Sequence, residues 1–182
     1  MRSLDLYIAC SLDGYIADPE GGVDWLFTDQ DYGFKEFYEA VDVVLMGRLT
    51  WEKALSFGDW PYQGKRSLVF SSTHVGETNE DVEFVSGELT KVLEELSLED
   101  EDRTWLVGGG HLIRSCLEDD LVERFHLFVH PVLLGEGLPL FPGPFPRRRL
   151  RLDSCRAYDS GLVELRYVRS ETTPVGEEEG PR

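Results

Sequence analysis

Short apolar runs alternate with helix-like patterns over the first two thirds of the chain. Compact apolar runs predict buried strands at residues 4–10, 43–46, 66–70, 82–86 and 104–107. Apolar residues spaced three and four positions apart predict helices through residues 34–41, from residue 47, over 87–98 and from residue 111. Strands that alternate with helices in this way are typical of a mainly parallel sheet.

The pattern changes beyond residue 120. Residues 121–129, 150–158 and 162–169 read as strands, and the turn Asp159-Ser160-Gly161 joins the last two as a hairpin. The sequence therefore predicts an α/β fold with a mainly parallel mixed sheet, flanking helices and C-terminal antiparallel strands. We expect one domain over residues 1–169, followed by a disordered acidic tail over residues 170–182.

Length and charge narrow the class of protein. The 182 residues suffice for one domain, and the net charge of −17 disfavours nucleic acid and anionic membranes as partners. The N-terminus lacks a signal-peptide pattern, and no apolar run is long enough to span a membrane. Cysteines at positions 10, 116 and 155 suggest neither a disulfide framework nor a zinc site. We expect a cytoplasmic protein, either adapted to a salty cytoplasm or simply acidic.

Three consecutive glycines stand between a predicted strand and a predicted helix. Gly108, Gly109 and Gly110 follow the strand at residues 104–107, and the helix begins near His111. Glycine allows a ligand to approach the backbone, and a helix N-terminus attracts anions. A phosphate or diphosphate site is one reading of this motif, and a tight turn that requires positive φ is the other. The motif is not a GxGxxG fingerprint, and no P-loop lysine follows it.

Three further features follow predicted strands of the same sheet. These are the loop after Cys10, the sequence Gly47-Arg48 with Thr50 close behind, and the serine pair Ser71-Ser72. Arginine can donate two hydrogen bonds to a phosphate, and a hydroxyl can add another. Because ligands bind at the carboxyl ends of parallel strands, these features and the glycines favour an anion site together.

Five motifs occur in a recognisable order along residues 3–169. Three are Met46-Gly47-Arg48-Leu49-Thr50-Trp51-Glu52, Val69-Phe70-Ser71-Ser72 and Val107-Gly108-Gly109-Gly110. The other two are Ser11-Leu12-Asp13-Gly14-Tyr15-Ile16-Ala17 and Pro131-Val132-Leu133-Leu134-Gly135-Glu136-Gly137. By the first three the chain resembles the dihydrofolate reductase-like superfamily, and by the last two it most resembles the riboflavin-biosynthesis (RibD C-terminal-like) reductases.

The resemblance implies NADPH as the cofactor. By the same resemblance, Arg48, Ser71 and Ser72 hold the adenosine 2′-phosphate. The resemblance also implies that the diphosphate and the adjoining part of the cofactor are bound by Gly47, Thr50, Val107, Gly108, Gly109, Gly110, His111 and Leu112. The backbone of Ala9 and Ile16 faces the nicotinamide amide. The implied chemistry is hydride transfer to a C=N or C=O bond of a small heterocycle, pterin-like or an aminouracil.

The acid that supplies a proton is not fixed by the sequence. Asp29 and Asp31 are candidates, although either could instead cap the helix predicted through residues 34–41. Asp24 is also available, and Asp24 and Trp25 are expected to contact substrate. Asp13 either touches substrate or cofactor or forms a turn before Gly14. The four histidines show no metal-ligand spacing, so we expect no metal. A true dihydrofolate reductase and a non-catalytic NADPH-binding module remain alternatives, and a homodimer is plausible by resemblance.

Overall fold

A computed structural model describes residues 4–74, 78, 82–95 and 103–170. Within these residues, four helices and ten strands follow one another along the chain. In order they are β1 (Leu4–Ser11), β2 (Tyr15–Ala17), α1 (Phe34–Glu39), β3 (Val43–Gly47), α2 (Arg48–Leu55), β4 (Arg66–Phe70), β5 (Glu83–Val85), α3 (Leu89–Glu95), β6 (Thr104–Gly108), α4 (Gly110–Glu118), β7 (Val122–His130), β8 (Leu138–Pro139), β9 (Leu150–Ala157) and β10 (Val163–Arg169).

Eight of the strands form one mixed sheet in the order β5-β4-β3-β6-β1-β7-β10-β9. The strands from β5 to β7 run parallel to their neighbours, whereas β10 pairs antiparallel with both β7 and β9. This arrangement confirms the predicted fold class. The sequence did not predict the small second sheet of β2 and β8, because two- and three-residue strands leave no periodic pattern.

Helices cover both faces of the sheet, and this explains why its central strands are apolar throughout. In β3, Val43, Val44, Leu45 and Met46 are all fully buried. Phe37 of α1 and Ala54 of α2 pack on one face with Val44, Met46 and Trp105. On the other face, leucines of α3 and α4 pack against Leu6, Leu45 and Leu106.

Two of the predicted segments extend beyond the described residues. The predicted helix over residues 87–98 is observed as α3, and its last three predicted residues lie outside the described part. Of the predicted tail, Ser170 donates its backbone N–H to the carbonyl of Arg149 at 3.2 Å, and residues 171–182 lie outside the described part. None of the helices in the described ranges has the length and apolar character needed to cross a membrane.

Candidate active site

A cleft of about 1430 Å³ opens at the carboxyl ends of the parallel strands. Its lining includes Ala9 near the end of β1, Gly47 at the end of β3, Phe70 at the end of β4 and Val107 near the end of β6. This is the edge at which parallel α/β sheets bind ligands, because the loops that leave each strand diverge there. The sheet thus gathers features that lie far apart in the sequence.

Glycine occupies each of the three consecutive positions for a different physical reason. Gly108 has φ of 127°, a conformation that side chains rarely adopt, so here the tight-turn reading holds. Gly109 has φ of −81° and ψ of −170°, which any residue can adopt, and it lines the cleft. A Cβ on Gly110 would lie 2.7 Å from the carbonyl oxygen of Pro139. Gly109 is therefore the position where absence of a side chain serves the cleft rather than the fold.

Helix α4 begins directly at this turn and directs its N-terminus to the cleft. Its N-cap residue, Gly109, makes no side-chain cap hydrogen bond, and Gly110, His111 and Leu112 of the first turn line the cleft. The first N–H groups of a helix lack intrahelical partners, and they carry the positive end of the helix dipole. An anion placed beside Gly109 would therefore be stabilised by both effects.

Helix α2 brings cationic and hydroxyl groups to the cleft. Arg48, Thr50, Lys53 and Ser56 line it, and the N-cap residue Gly47 again offers no side-chain cap. The guanidinium of Arg48 forms an ion pair with Glu52 one turn later, while about two fifths of its side chain stays exposed. An exposed pair of this kind is weak, so a phosphate can compete for the guanidinium. The part of the cleft formed by the first turn of α4 with Gly47, Arg48 and Thr50 is called the glycine end below.

Most of the predicted cofactor residues meet at the cleft, but three do not. Ten line it: Ala9, Ile16, Gly47, Arg48, Thr50, Val107, Gly109, Gly110, His111 and Leu112. Gly108 lies behind the surface as the turn residue. The buried Ser71 hydroxyl accepts a hydrogen bond from the Thr73 N–H at 3.2 Å, and Ser72 is exposed beside it. Phe70, rather than either serine, is the lining residue at the end of β4.

Four aromatic side chains form a continuous wall on the cleft, which we call the aromatic wall: Tyr7, Phe34, Tyr62 and Trp105. The Phe34 ring lies 6.0 Å from Tyr7 and 5.8 Å from Trp105, and Tyr62 lies 5.4 Å from Trp105. Sequence reasoning missed this group. A signal existed, because residues two apart in a strand share a face, which places Tyr7 beside Ala9 and Trp105 beside Val107.

Both wall tyrosines are held in the neutral form. Burial raises the pKa of Tyr62 to about 12. The pKa of Tyr7 rises still further, because of burial first and then because the carboxylates of Glu164 and Asp31 lie near it. Each phenol therefore keeps its proton at physiological pH and can act as a hydrogen-bond donor.

The aspartates predicted as acids or substrate contacts lie elsewhere: none of Asp13, Asp24, Asp29 and Asp31 lines the cleft. The Asp13 carboxylate accepts hydrogen bonds from the Ser11 hydroxyl at 2.6 Å and from the N–H groups of Leu134 at 3.2 Å and Gly135 at 2.8 Å. These bonds lower its pKa, the Ser11 bond most strongly. Asp13 thus fastens the loop after β1 to the loop before β8, which is the turn role.

The two aspartates before α1 also have structural partners. Asp29 accepts a hydrogen bond from the Tyr32 hydroxyl at 2.7 Å. The Asp31 carboxylate accepts one from the backbone N–H of Lys35 at 3.1 Å, which satisfies a free donor of the first helical turn. Asp24 is exposed. The carboxylate of Asp31 thus binds the first turn of α1, that of Asp29 binds a tyrosine hydroxyl, and neither lines the cleft.

His130 holds the loop that carries Trp25. Its Nε2 atom accepts the N–H of Phe27 at 3.2 Å, and its Nδ1 atom donates to the Phe128 carbonyl at 3.1 Å. The Trp25 ring packs edge-on against the imidazole at 5.2 Å, and its buried indole N–H has no hydrogen-bond partner among the residues that the structure describes. Trp25 itself does not line the cleft, whereas Leu26 and Phe27 do. The neutral imidazole therefore fixes one cleft wall in place.

Comparison with known proteins agrees with this architecture. Residues 2–164 match the model of the RibD C-terminal domain family. The chain belongs to this family. Two Bacillus subtilis proteins are relatives over nearly their whole lengths, and both are uncharacterised. YwjB is 35% identical over 173 residues, which cover 93% of this chain and 99% of YwjB. YyaP is 32% identical over 178 residues, which cover 91% of this chain and 94% of YyaP.

Solved structures of the family share the fold. A candidate riboflavin biosynthesis protein from Shewanella sp. PV-4 superposes with a TM-score of 0.83 at 32% identity, over 93% of this chain and 99% of that one. The deaminase/5-amino-6-(5-phosphoribosylamino)uracil reductase of Thermotoga maritima superposes with a TM-score of 0.72 at 19% identity, over 93% of this chain and 57% of that one. The fold is accordingly dihydrofolate reductase-like, in a family of reductases.

Proposed function

We propose that this protein is an NADPH-dependent reductase that transfers a hydride to a small planar heterocycle, in the reaction class of the aminouracil reductases. The observation that carries the proposal is the pairing, within one cleft, of the glycine end and the aromatic wall. The first suits a phosphorylated dinucleotide, and the second suits a flat ring. A hydride transfer needs both molecules held face to face.

The residues present fit the cofactor. A Cβ at Gly109 would occupy the surface where a diphosphate approaches α4, and Thr50 Oγ1 lies 3.3 Å from that Cβ position. In the proposal Gly109, Gly110 and Thr50 hold the diphosphate, and Arg48 with Lys53 holds the 2′-phosphate. NADPH supplies the hydride when bound. The chain supplies positive charge at one end and an apolar surface at the other.

The aromatic wall has the complementary role of placing the acceptor. Stacking against Phe34 and Trp105 restricts a flat ring to one plane, and the backbone near Ala9 lies on the same side of β1 as Tyr7. Proton delivery comes from a wall phenol or from water that enters the open cleft. A phenol with a pKa of about 12 is a weak acid, but it is a stronger acid than bulk water, whose pKa is about 15.7, so Tyr62 is the stronger donor candidate.

The proposal is tested by following NADPH oxidation with a dihydropterin, an aminouracil ribotide and a flavin as acceptors. We expect turnover with at least one of them and deuterium transfer from NADPH labelled at the nicotinamide C4. Dihydrofolate as the fastest substrate would identify a true dihydrofolate reductase. Tight NADPH binding without turnover of any acceptor would favour the non-catalytic module. Failure to bind NADPH would overturn the proposal.

We also propose that the protein forms a homodimer through β9, the strand at one edge of the main sheet. Every residue of β9 is exposed, including Leu150 at 38% and Leu152 at 50%. An eight-residue edge strand with unpaired backbone groups favours pairing with a second copy. Sedimentation equilibrium should show a dimer, and Leu152→Lys should weaken it. A wild-type protein that stays monomeric at all concentrations would contradict this.

A further inference from the structure

Arg48, the residue proposed to hold the 2′-phosphate, already has an anionic partner in the cleft. Its Nη1 atom forms an ion pair with Oε1 of Glu52, one turn further along α2. Both side chains line the cleft, and they remain exposed by 39% and 44% respectively. A phosphate that reaches the guanidinium of Arg48 therefore arrives beside a carboxylate.

The fold does not depend on this ion pair. Among the residues that the structure describes, neither Arg48 nor Glu52 makes another side-chain hydrogen bond or ion pair. An exposed pair one helical turn apart is weak, and the order with the cation nearer the N-terminus is the less favourable one. Glu52 therefore orients Arg48 only weakly, and a ligand can displace it.

Helix α4 contains the same kind of pair outside the cleft. Arg114 and Glu118 are also four residues apart, with an Nη2–Oε1 distance of 2.9 Å and side-chain exposures of 35% and 40%. Neither residue lines the cleft. Spacing, order and exposure match in the two pairs, so the feature that distinguishes Glu52 is its position beside the proposed cofactor site.

Two effects of Glu52 oppose the binding of a 2′-phosphate. The carboxylate competes for the N–H groups of the guanidinium. It also repels a phosphate bound to the same guanidinium, because the two anions then lie within a few ångströms of each other. NADH carries a hydroxyl group in place of this phosphate, and a carboxylate can accept a hydrogen bond from a hydroxyl. Glu52 therefore disfavours NADPH and tolerates NADH.

We infer that Glu52 is a specificity-determining residue that limits how strongly the cleft prefers NADPH over NADH. This inference rests on the proposed reductase function and concerns its cofactor. Arg48 favours the 2′-phosphate, and Glu52 opposes it from the next turn of the same helix. When NADPH binds, the guanidinium turns from Glu52 to the phosphate, and the carboxylate is left to solvent.

Glu52→Gln tests the inference, because it removes the charge and keeps the shape of the side chain. Calorimetric titration gives the dissociation constants of NADPH and NADH for the wild type and the variant, and thermal unfolding checks the fold. We expect NADPH to bind about fivefold tighter to the variant and NADH to stay within about twofold. The gain for NADPH should shrink in about 1 M salt, where the Debye length is about 3 Å.

A pair of cofactor fragments locates the effect. Adenosine 2′,5′-bisphosphate and adenosine 5′-monophosphate differ only by the 2′-phosphate. Glu52→Gln should tighten binding of the first about fivefold and leave the second within about twofold. Equal responses of the two fragments would place the effect elsewhere in the cleft and overturn the inference.

Glu118→Gln is the matched control, and it should change the affinity for either nucleotide by less than about twofold. Riboflavin, a planar ring compound without a phosphate, reports separately on the aromatic wall, and its affinity should be the same in both variants. An unchanged or smaller NADPH preference in folded Glu52→Gln overturns the inference, and so does an equal change in Glu118→Gln. Wild-type protein that binds riboflavin but neither nucleotide would reject the reductase proposal itself.

Discussion

The glycine end and the aromatic wall of the cleft differ in how the chain builds them. The glycine end comes from two strand-to-helix junctions, each a few residues long, with Gly47 before α2 and Gly109 before α4. The aromatic wall comes from four separate elements whose rings meet only after the sheet has formed. A local junction can be recognised as a motif, whereas a surface assembled from distant residues cannot. The glycine end can thus be recognised in the sequence, whereas the aromatic wall can be recognised only in the structure.

The same difference explains why the reaction class is easier to infer than the substrate. Phosphate recognition uses backbone N–H groups, a helix dipole and an arginine, and these can be supplied by a short motif. Ring recognition depends on the shape and charge of a surface, which vary with each contributing element. Variants at the two ends should therefore have separable effects on the two ligands.

The largest effect is expected at Gly109. Gly109→Val should abolish NADPH binding, because the new side chain would fill the surface where the diphosphate meets α4. Backbone strain is not the reason, since φ of −81° suits valine. Calorimetric titration measures the loss, and thermal unfolding checks that the fold persists. Riboflavin binding should survive, and unchanged NADPH affinity in the folded variant would reject the diphosphate assignment.

The next effect is expected at Arg48. Arg48→Ala should weaken NADPH about tenfold or more, since a charge-assisted hydrogen bond contributes about 1.5–3 kcal/mol. NADH lacks the 2′-phosphate and should lose little affinity. Titration of both nucleotides measures the difference, and Leu55→Ala, at an exposed leucine of the same helix that does not line the cleft, serves as the control. Equal losses for NADPH and NADH would remove Arg48 from the 2′-phosphate site.

A smaller effect, confined to the other end, is expected at Phe34. Phe34→Ala should weaken riboflavin several-fold, since a single stacking contact contributes about 0.5–1.5 kcal/mol beyond burial. NADPH affinity should stay within about twofold of wild type. Gly109→Val should thus impair only NADPH binding, and Phe34→Ala should impair only riboflavin binding. A parallel loss of both ligands would show that the two ends do not act separately.

The smallest effect concerns pH. Burial lowers the pKa of His130 below its ordinary value of 6.5, and the neutral ring accepts the Phe27 N–H. The stability that this bond contributes is fully present above pH 6.5 and is lost as pH falls through the lowered pKa. Riboflavin affinity should therefore decline a few-fold in mild acid in the wild type.

His130→Gln is the variant for this test, because the amide oxygen can still accept a hydrogen bond but does not titrate near neutrality. His126, whose pKa is also lowered by burial, is common to both proteins, so their difference isolates His130. Riboflavin affinity is measured from pH 8 to pH 5. The same decline of riboflavin affinity at acid pH in both proteins would contradict the assignment of that decline to His130.

Periodicity predicted the strands of the main sheet well. The strand predicted at residues 66–70 agrees with β4, and the others agree within about two residues at each end. The aspartates show the limit of such reasoning. A carboxylate near a helix start has the same sequence pattern whether it binds substrate or the first turn. The observed hydrogen bonds place Asp31 on the first turn of α1 and Asp29 on the Tyr32 hydroxyl. The sequence did not predict the aromatic wall, because the patterns around Phe34 and Trp105 are equally typical of side chains in a hydrophobic core.

Binding of a dinucleotide with a 2′-phosphate at the glycine end is tested most directly by calorimetric titration of the wild-type protein with NADPH and with NADH. We predict that NADPH binds at least tenfold more tightly than NADH, a difference of about 1.4 kcal/mol or more. Equal affinities, or no binding of either nucleotide by folded protein, would contradict the assignment of the glycine end.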